Sequence, residues 1–176
     1  SEVKQSLQGE LLDVNKLIFS QLESSVQYVQ EVGQHLLDHG KRFRSVLLLL
    51  IARGMQQDMQ AAKSLAAIIE LIHAATLLHD DVLDGASMRR SRPTVHKAWD
   101  IKVAILVGDY LYAKAFDLIS QLEHHSVTSA LAKATDCIVA GELEQWSLAE
   151  KAEINESQYL AMISNKTACL FAVSMY

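Results

Sequence analysis

The chain has 176 residues, of which 50% are apolar and 21% charged, so it can bury a hydrophobic core and is not intrinsically disordered. A single proline and seven glycines favour helices joined by short turns. The net charge of -5, without a run of Lys or Arg, argues against nucleic acid or an anionic membrane as the main partner. We predict a single all-α domain spanning residues 1–176.

No segment resembles a membrane span or a signal peptide. The longest purely apolar run, Val46–Ala52, is much shorter than the roughly 20 residues that cross a bilayer. Cys137 and Cys169 lie far apart without a metal-ligand spacing, as is usual for intracellular thiols. We therefore predict a cytoplasmic protein without a transmembrane segment.

Apolar residues at helical spacing divide the chain into predicted helices. A packing helix covers Glu2–Val32, and a basic cluster at 40–44 precedes a buried helix. The remaining predicted helices cover residues 61–84, ended by Gly85, then 95–122 after a turn at 91–94, 126–149, and a last helix after Asn155. Because the last helix is still apolar at Tyr176, we expect the chain to be the N-terminal part of a longer protein.

Three aspartates end the helix that is predicted at 61–84. Asp80 and Asp84 are four residues apart and share one face, whereas Asp81 points about 100° away. Such a carboxylate pair suits Mg²⁺, which takes oxygen ligands and reaches proteins through one or two carboxylates plus substrate phosphates. Zinc would call for nearby Cys or additional His.

The alternative for these aspartates is a solvated helix end that pairs with Arg89 and Arg90. Carboxylates at a helix C-terminus oppose the helix dipole by about 0.3–1 kcal/mol each, so this cluster needs compensating cations. The residues around the aspartates therefore favour the metal site over a solvated helix end.

Other residues become informative only in combination. Lys41, Arg42 and Arg44 carry donors suited to phosphate oxygens, although a solvated turn would look the same. His73 on an apolar helix is by default a core or edge histidine. Taken together, the chain offers carboxylates for a metal, basic residues for pyrophosphate and an apolar helical wall.

The ordered motifs resemble those of the trans-prenyl diphosphate synthases, in particular the bacterial long-chain, octaprenyl-forming branch. The resemblance covers nearly the whole chain and rests on Gly40-Lys41-Arg42-x-Arg44, Glu70-x-x-His73, His79-Asp80-Asp81-x-x-Asp84, Arg89-Arg90, Pro93-Thr94, Gly108-Asp109, Gly141-Glu142-x-x-Gln145 and Lys166-Thr167. It implies an isoprenoid synthase helical bundle, a homodimer, and a reaction in which an allylic diphosphate ionises, isopentenyl diphosphate attacks, and a proton is lost.

The resemblance also implies roles for individual residues. Those implied to hold the pyrophosphate of isopentenyl diphosphate are Lys41, Arg44, His73 and Arg90. Those implied to hold the allylic diphosphate are Arg89, Lys166 and Thr167, with Mg²⁺ on Asp80 and Asp84. The implied catalytic set is Asp80, Asp81, Asp84 and Lys166.

Product length follows from the same resemblance. Family members that stop early carry a bulky aromatic four or five residues before the first aspartate, where this chain has Thr76 and Ala75. The small side chains predict a long product, with Phe116 as a floor further down.

The chain departs from the family pattern at several positions. Ser45, Ser91 and Glu144 replace the usual Pro, Gly and apolar residue. The second aspartate-rich motif would lie beyond Tyr176, so we expect the supplied chain to be inactive by itself.

Two other functions compete with a catalytic prenyl synthase. A non-catalytic partner subunit of a heteromeric synthase would share the fold but lack a working metal site, against which Asp80, Asp81 and Asp84 argue. A di-iron carboxylate bundle uses the Glu-x-x-His spacing twice, and here it occurs once, at Glu70–His73.

Overall fold

The computed structural model describes residues 2–37, 40–122, 124–149 and 154–173, and this part of the chain is almost entirely helical. The all-α prediction is confirmed. The α-helices are α1 (Glu2–Ser6), α2 (Gln8–Gln21), α3 (Gln27–Leu37), α4 (Phe43–Gly54), α5 (Met59–Leu83), α6 (Val95–Ala98), α7 (Ile101–Ser120), α8 (His125–Ala149), α9 (Glu156–Ile163) and α10 (Cys169–Val173). They form two compact units, residues 1–121 and 122–176. The prediction of one domain stays a prediction.

Helix α5 is the centre of the first unit. It packs against α2, α4 and α7, and the side chains from Ala66 to Ile69 are fully buried. Within the described residues, α5 is the one helix that is long and apolar enough to cross a membrane. Because 61% of its most apolar window is buried within the protein, it has the character of a core helix.

The predicted helix Glu2–Val32 is wrong as a continuous element, because the structure has α1, α2 and α3 in its place. The chain leaves the helix after Gln21, where the Ser24 hydroxyl accepts a hydrogen bond from the backbone N–H of Val26 at 3.1 Å. Such side-chain bonds offer the backbone an alternative to helical pairing. Helix α3 then packs closely, since a Cβ at Gly33 would overlap Leu22.

A short hairpin follows α5. Gly85, with φ of 60°, ends the helix as predicted, and the N–H of Ala86 bonds the carbonyl of Asp81 at 3.0 Å. Strands β1 (Met88–Arg89) and β2 (Arg92–Pro93) then pair antiparallel. The loop residues Arg90 and Ser91 both have positive φ, the arrangement of a type I′ turn.

Two predicted helices are interrupted. Trp99 and Asp100 separate α6 from α7, and the Asp100 carboxylate caps α7 by accepting from the N–H of Lys102 at 2.8 Å. The last predicted helix contains a π-helical turn, Ser164–Ala168, between α9 and α10.

The second unit is built on α8, which packs against α9, the π-helical turn and α10. Asn155 begins α9 with a capping box that it shares with Gln158, so the predicted N-cap is confirmed. A Cβ at Gly141 would lie 2.6 Å from the backbone nitrogen of Lys166. The absence of a side chain at Gly141 therefore lets α8 and the π-helical turn lie in close contact.

Candidate functional site

The start of α4, the middle of α5 and the hairpin turn enclose a cleft of about 170 Å³, which we call the basic cleft. Its charged and polar lining residues are Lys41, Arg42, Arg44, Glu70, His73 and Arg90. Four cationic side chains thus face one carboxylate. The structure brings together the four residues, Lys41, Arg44, His73 and Arg90, that resemblance implied for one pyrophosphate.

His73 is neutral in this cleft. Burial lowers the pKa of its imidazole to about 3, and the charges of Arg44, Arg90, Arg89 and Arg42 act in the same direction. A neutral imidazole keeps one N–H donor and one acceptor nitrogen. His73 can therefore donate a hydrogen bond to an anion without carrying a charge.

Arg42 and Glu70 form a buried ion pair at the edge of the cleft. The Arg42 Nη1 donates to Glu70 Oε2 at 3.1 Å, and the side chains are 7% and 6% exposed. The Ser45 hydroxyl donates to Glu70 Oε1 at 2.7 Å. Because Glu70 is engaged by two residues near the start of α4, the di-iron alternative loses the Glu ligand on which it depends.

The aspartates at the end of α5 have different surroundings. Asp84 is exposed, Asp80 is half-buried and Asp81 is buried. Among the described residues, no cluster of three or more His, Cys, Asp or Glu side chains is placed to hold a metal ion. Asp80 and Asp84 nevertheless fit Mg²⁺, which needs only one or two carboxylates when phosphates and water supply the other oxygens.

Asp81 is held by Arg89 of the hairpin. The Arg89 Nε lies 2.9 and 3.0 Å from the two carboxylate oxygens, and its Nη2 lies 2.8 Å from Oδ1. The hydroxyl of Thr94 closes the same segment by donating to the carbonyl of Ala86 at 2.7 Å. The Asp81–Arg89 pair therefore fastens the hairpin, which carries Arg90, to α5.

Sequence reasoning assigned no role to His79 or Tyr112, which lie between α5 and α7. The Nε2 of His79 lies 3.2 Å from the carbonyl oxygen of Ile105, and its ring lies against that of Tyr112. Burial, followed by the carboxylates of Asp80 and Asp109, raises the pKa of the Tyr112 hydroxyl to about 12. The tyrosine thus stays a protonated donor near the aspartates.

Gly108 makes this helix contact possible, because a Cβ there would overlap the His79 ring. The sequence signal at this contact was the Gly108-Asp109 pair, one of the motifs that carry the family resemblance. Its meaning depends on the pairing of α5 with α7, which the sequence does not reveal.

The three chain-length candidates lie on the same two helices. Ala75 is fully buried, and Thr76 is half-buried with its hydroxyl bonded to the carbonyl of His73 at 2.8 Å. Phe116 is 47% exposed and stacks on Tyr112 with ring centroids 6.4 Å apart. Space beside α5 is thus greater at Thr76 than at Ala75.

Lys166 and Thr167 belong to the second unit and lie in the π-helical turn. The Lys166 Nζ pairs with Glu142 Oε1 at 2.6 Å and donates to Gln145 Oε1 at 2.9 Å. Thr167 is exposed. A π-helical turn within an α-helix is often found at functional sites.

A family model described as polyprenyl synthetase matches residues 26–176. The chain belongs to the polyprenyl synthetase family. Octaprenyl diphosphate synthase from Haemophilus influenzae is 35% identical over 174 residues, which cover 98% of this chain and 53% of that protein. Heptaprenyl diphosphate synthase component 2 from Geobacillus stearothermophilus is 37% identical, with 96% of this chain and 53% of that protein covered.

The fold is likewise that of polyprenyl synthetases. A crystal structure of a polyprenyl synthase from Caulobacter crescentus, complexed with calcium and isoprenyl diphosphate, superimposes with a TM-score of 0.94 at 34% identity. The match covers 98% of this chain and 53% of that one. The isoprenoid synthase fold is therefore confirmed, and the chain spans about half the length of the relatives it matches.

Proposed function

We propose that the protein containing this chain is an all-trans polyprenyl diphosphate synthase of the long-chain, octaprenyl type. It would add isopentenyl diphosphate units to an allylic prenyl diphosphate. The observation that carries the proposal is the basic cleft, in which four cationic side chains and a neutral histidine converge. The similarity to octaprenyl diphosphate synthase supports the choice of a long product.

In this proposal the basic cleft binds the pyrophosphate of isopentenyl diphosphate. Arg44 and Arg90 supply planar guanidinium donors that suit phosphate oxygens, and Lys41 adds a point charge. His73 contributes a hydrogen bond from its neutral ring. Together these groups fix the isopentenyl double bond for attack on the allylic partner.

Asp80 and Asp84 would hold Mg²⁺ on the allylic diphosphate. When bound, the metal would supply electrostatic stabilisation of the pyrophosphate leaving group. A guanidinium has five N–H donors, so Arg89 can hold Asp81 and still donate to a diphosphate. Asp81 thereby contributes to catalysis by holding Arg89.

The remaining task of the protein is to stabilise a developing cation and exclude water. The allylic carbon–oxygen bond breaks, the isopentenyl double bond forms the new carbon–carbon bond, and a proton is lost to regenerate an allylic diphosphate. The apolar faces of α5 and α7 near Thr76 and Phe116 would enclose the growing chain and exclude water.

The proposal is tested with a full-length protein that contains this chain. We expect Mg²⁺-dependent incorporation of radiolabelled isopentenyl diphosphate into a long prenyl product, identified by chromatography. Asp84→Asn should reduce incorporation at least about 100-fold, as expected when a preorganised electrostatic group is lost. The exposed Asp136 on α8 offers a matched control, since Asp136→Asn changes the charge equally. Equal activity in the wild type and Asp84→Asn would contradict the assigned metal role.

A second candidate is a subunit of a heteromeric synthase. It is favoured by the similarity to a protein named component 2 of heptaprenyl diphosphate synthase. We propose instead that the full-length protein is a homodimer in the cytoplasm. The purified full-length protein should then have the mass of a dimer in light scattering and be active without another protein. Activity that appears only after addition of another protein would support the heteromer.

A further inference from the structure

We propose that Arg42 and Glu70 are positioning residues that orient Lys41 and Arg44 in the basic cleft without binding the pyrophosphate themselves. This inference rests on the proposed function of the cleft. It concerns two charged residues for which the resemblance implied no role.

The guanidinium of Arg42 is engaged within the protein. Its Nε donates to Asn15 Oδ1 of α2 at 3.0 Å, while its Nη1 donates to Glu70 of α5 at 3.1 Å. Arg42 is only 7% exposed. The side chain therefore connects the start of α4 to two other helices, although it lines the cleft.

The carboxylate of Glu70 completes this connection. One of its oxygens accepts from Arg42 and the other accepts from the Ser45 hydroxyl. Lys41 directly precedes Arg42 in the sequence, and Arg44 directly precedes Ser45. His73 lies one helical turn after Glu70 on α5. The Glu70 contacts thus fix the basic residues at the start of α4 relative to His73 on α5.

The backbone at Arg42 requires such support. Its φ of 52° and ψ of 34° are left-handed, a conformation that is unfavourable for a residue with a Cβ and persists when surrounding contacts enforce it. Gly40 also accommodates the arrangement, because a Cβ there would lie 2.6 Å from the Arg42 Nη1. The left-handed residue sets the direction in which the chain enters α4, between Lys41 and Arg44.

Neither a gain in stability nor attraction of the anion explains why the Arg42–Glu70 pair lies in the basic cleft. Buried ion pairs are often no more stabilising than apolar residues of similar volume, because desolvation is costly. A carboxylate in an anion-binding cleft also repels the anion. Retention of Glu70 in the cleft is explained if its contacts place the residues that bind the pyrophosphate.

Glu70→Gln distinguishes a purely electrostatic role of Glu70 from a positioning role, because the two roles predict opposite changes in the affinity for pyrophosphate. Removal of a negative charge should tighten anion binding if the charges act only through the field. Positioning predicts weaker binding, by about tenfold or more, which corresponds to one misplaced charge-assisted hydrogen bond. We would titrate inorganic pyrophosphate into the full-length protein that contains this chain by calorimetry. Glu10→Gln, which breaks an Arg53–Glu10 pair outside the cleft, is the matched control and should bind like the wild type.

Thermal unfolding by circular dichroism checks that each variant is folded at the titration temperature. Ser45→Ala removes one contact to Glu70 without leaving a charge unpaired, and it should weaken binding by a smaller factor in a folded protein. In the full-length enzyme, Glu70→Gln should raise the KM for isopentenyl diphosphate and leave the KM for the allylic substrate unchanged. Glu70→Asp, which keeps the charge, should recover part of the affinity.

The outcomes separate the inference from the proposed function. If the wild type binds pyrophosphate and Glu70→Gln binds equally or more tightly, the positioning role is overturned while the cleft remains a binding site. If the wild type does not bind pyrophosphate, the proposed role of the cleft and the positioning role are both overturned.

Discussion

At the scale of single residues, burial and then the neighbouring guanidinium groups lower the pKa of His73 in the basic cleft to about 3. In the unfolded chain a histidine titrates near pH 6.5. Between these values the unfolded state binds more protons, so the His73 contribution to the free energy of unfolding rises with pH and is lost as the pH falls from about 6.5 towards 3.

We predict that His73→Gln makes the free energy of unfolding less dependent on pH in this window. Urea unfolding at several pH values between 4 and 7 measures it. His125→Gln, at an exposed position, should retain the wild-type dependence. The same pH dependence in His73→Gln and the wild type would show that the ring is not held neutral.

The hairpin turn gives a second prediction at this scale. Ser91 has φ of 64°, which is unfavourable for a residue with a Cβ and unstrained for glycine. Because glycine also raises the entropy of the unfolded chain, we expect Ser91→Gly to stabilise the protein by only about 0.5–1 kcal/mol. Ser87→Gly, in the same segment but without positive φ, should destabilise it. Chemical denaturation compares the stability of the two variants. Destabilisation by both substitutions would contradict the positive φ of Ser91 in the hairpin turn.

The sequence predicted which basic residues act together, since Lys41, Arg44, His73 and Arg90 follow the family order and meet in one cleft. The resemblance gave a role to Arg44 and none to Arg42, but the sequence did not show the left-handed backbone of Arg42 or its bond to Glu70, which separate the two arginines in the structure. Helical geometry likewise set Asp81 apart from Asp80 and Asp84, but the sequence did not show that Asp81 is buried against Arg89. These distinctions depend on tertiary contacts between distant elements.

At the scale of elements, the spacing of apolar residues predicted where helices form, but it did not predict where those helices are interrupted. The apolar stripe continues through residues 22–26 although the helix does not, because a local hydroxyl bond at Ser24 competes with helical pairing. The long helix at 59–83 was predicted almost completely, since Gly85 marks its end. The π-helical turn at 164–168 has no comparable sequence signal, because it arises where α8 approaches at Gly141.

Gly141→Ala tests this approach. The new methyl group would lie 2.6 Å from the Lys166 nitrogen and 3.0 Å from its Cα, and backbone atoms cannot move aside as a flexible side chain can. We predict destabilisation by about 1–3 kcal/mol, as for other overpacked contacts. Gly9→Ala in α2 is the control, because a Cβ at Gly9 would have no atom within 4 Å. Thermal unfolding measures both, and an unchanged midpoint for Gly141→Ala would contradict the close contact.

At the scale of the whole molecule, product length should depend on the α5–α7 wall. In the full-length enzyme, we predict that phenylalanine at Thr76 or Ala75 shortens the product, because the ring occupies space beneath Asp80. Ala75→Phe should also cost about 1–3 kcal/mol of stability, since Ala75 has no exposed surface. Product chromatography and urea unfolding separate the two effects. An unchanged product distribution in both variants would refute this position of the tunnel.

The most direct test of the account is calorimetric titration of isopentenyl diphosphate into the full-length protein that contains this chain. We predict that the wild type binds, that Arg44→Gln weakens binding by at least about tenfold, and that Arg53→Gln binds like the wild type. Arg44 lines the basic cleft, whereas Arg53 on the same helix pairs with Glu10 outside it. Absence of binding by the wild type, or equal losses in the two variants, would contradict the basic cleft as the isopentenyl diphosphate site.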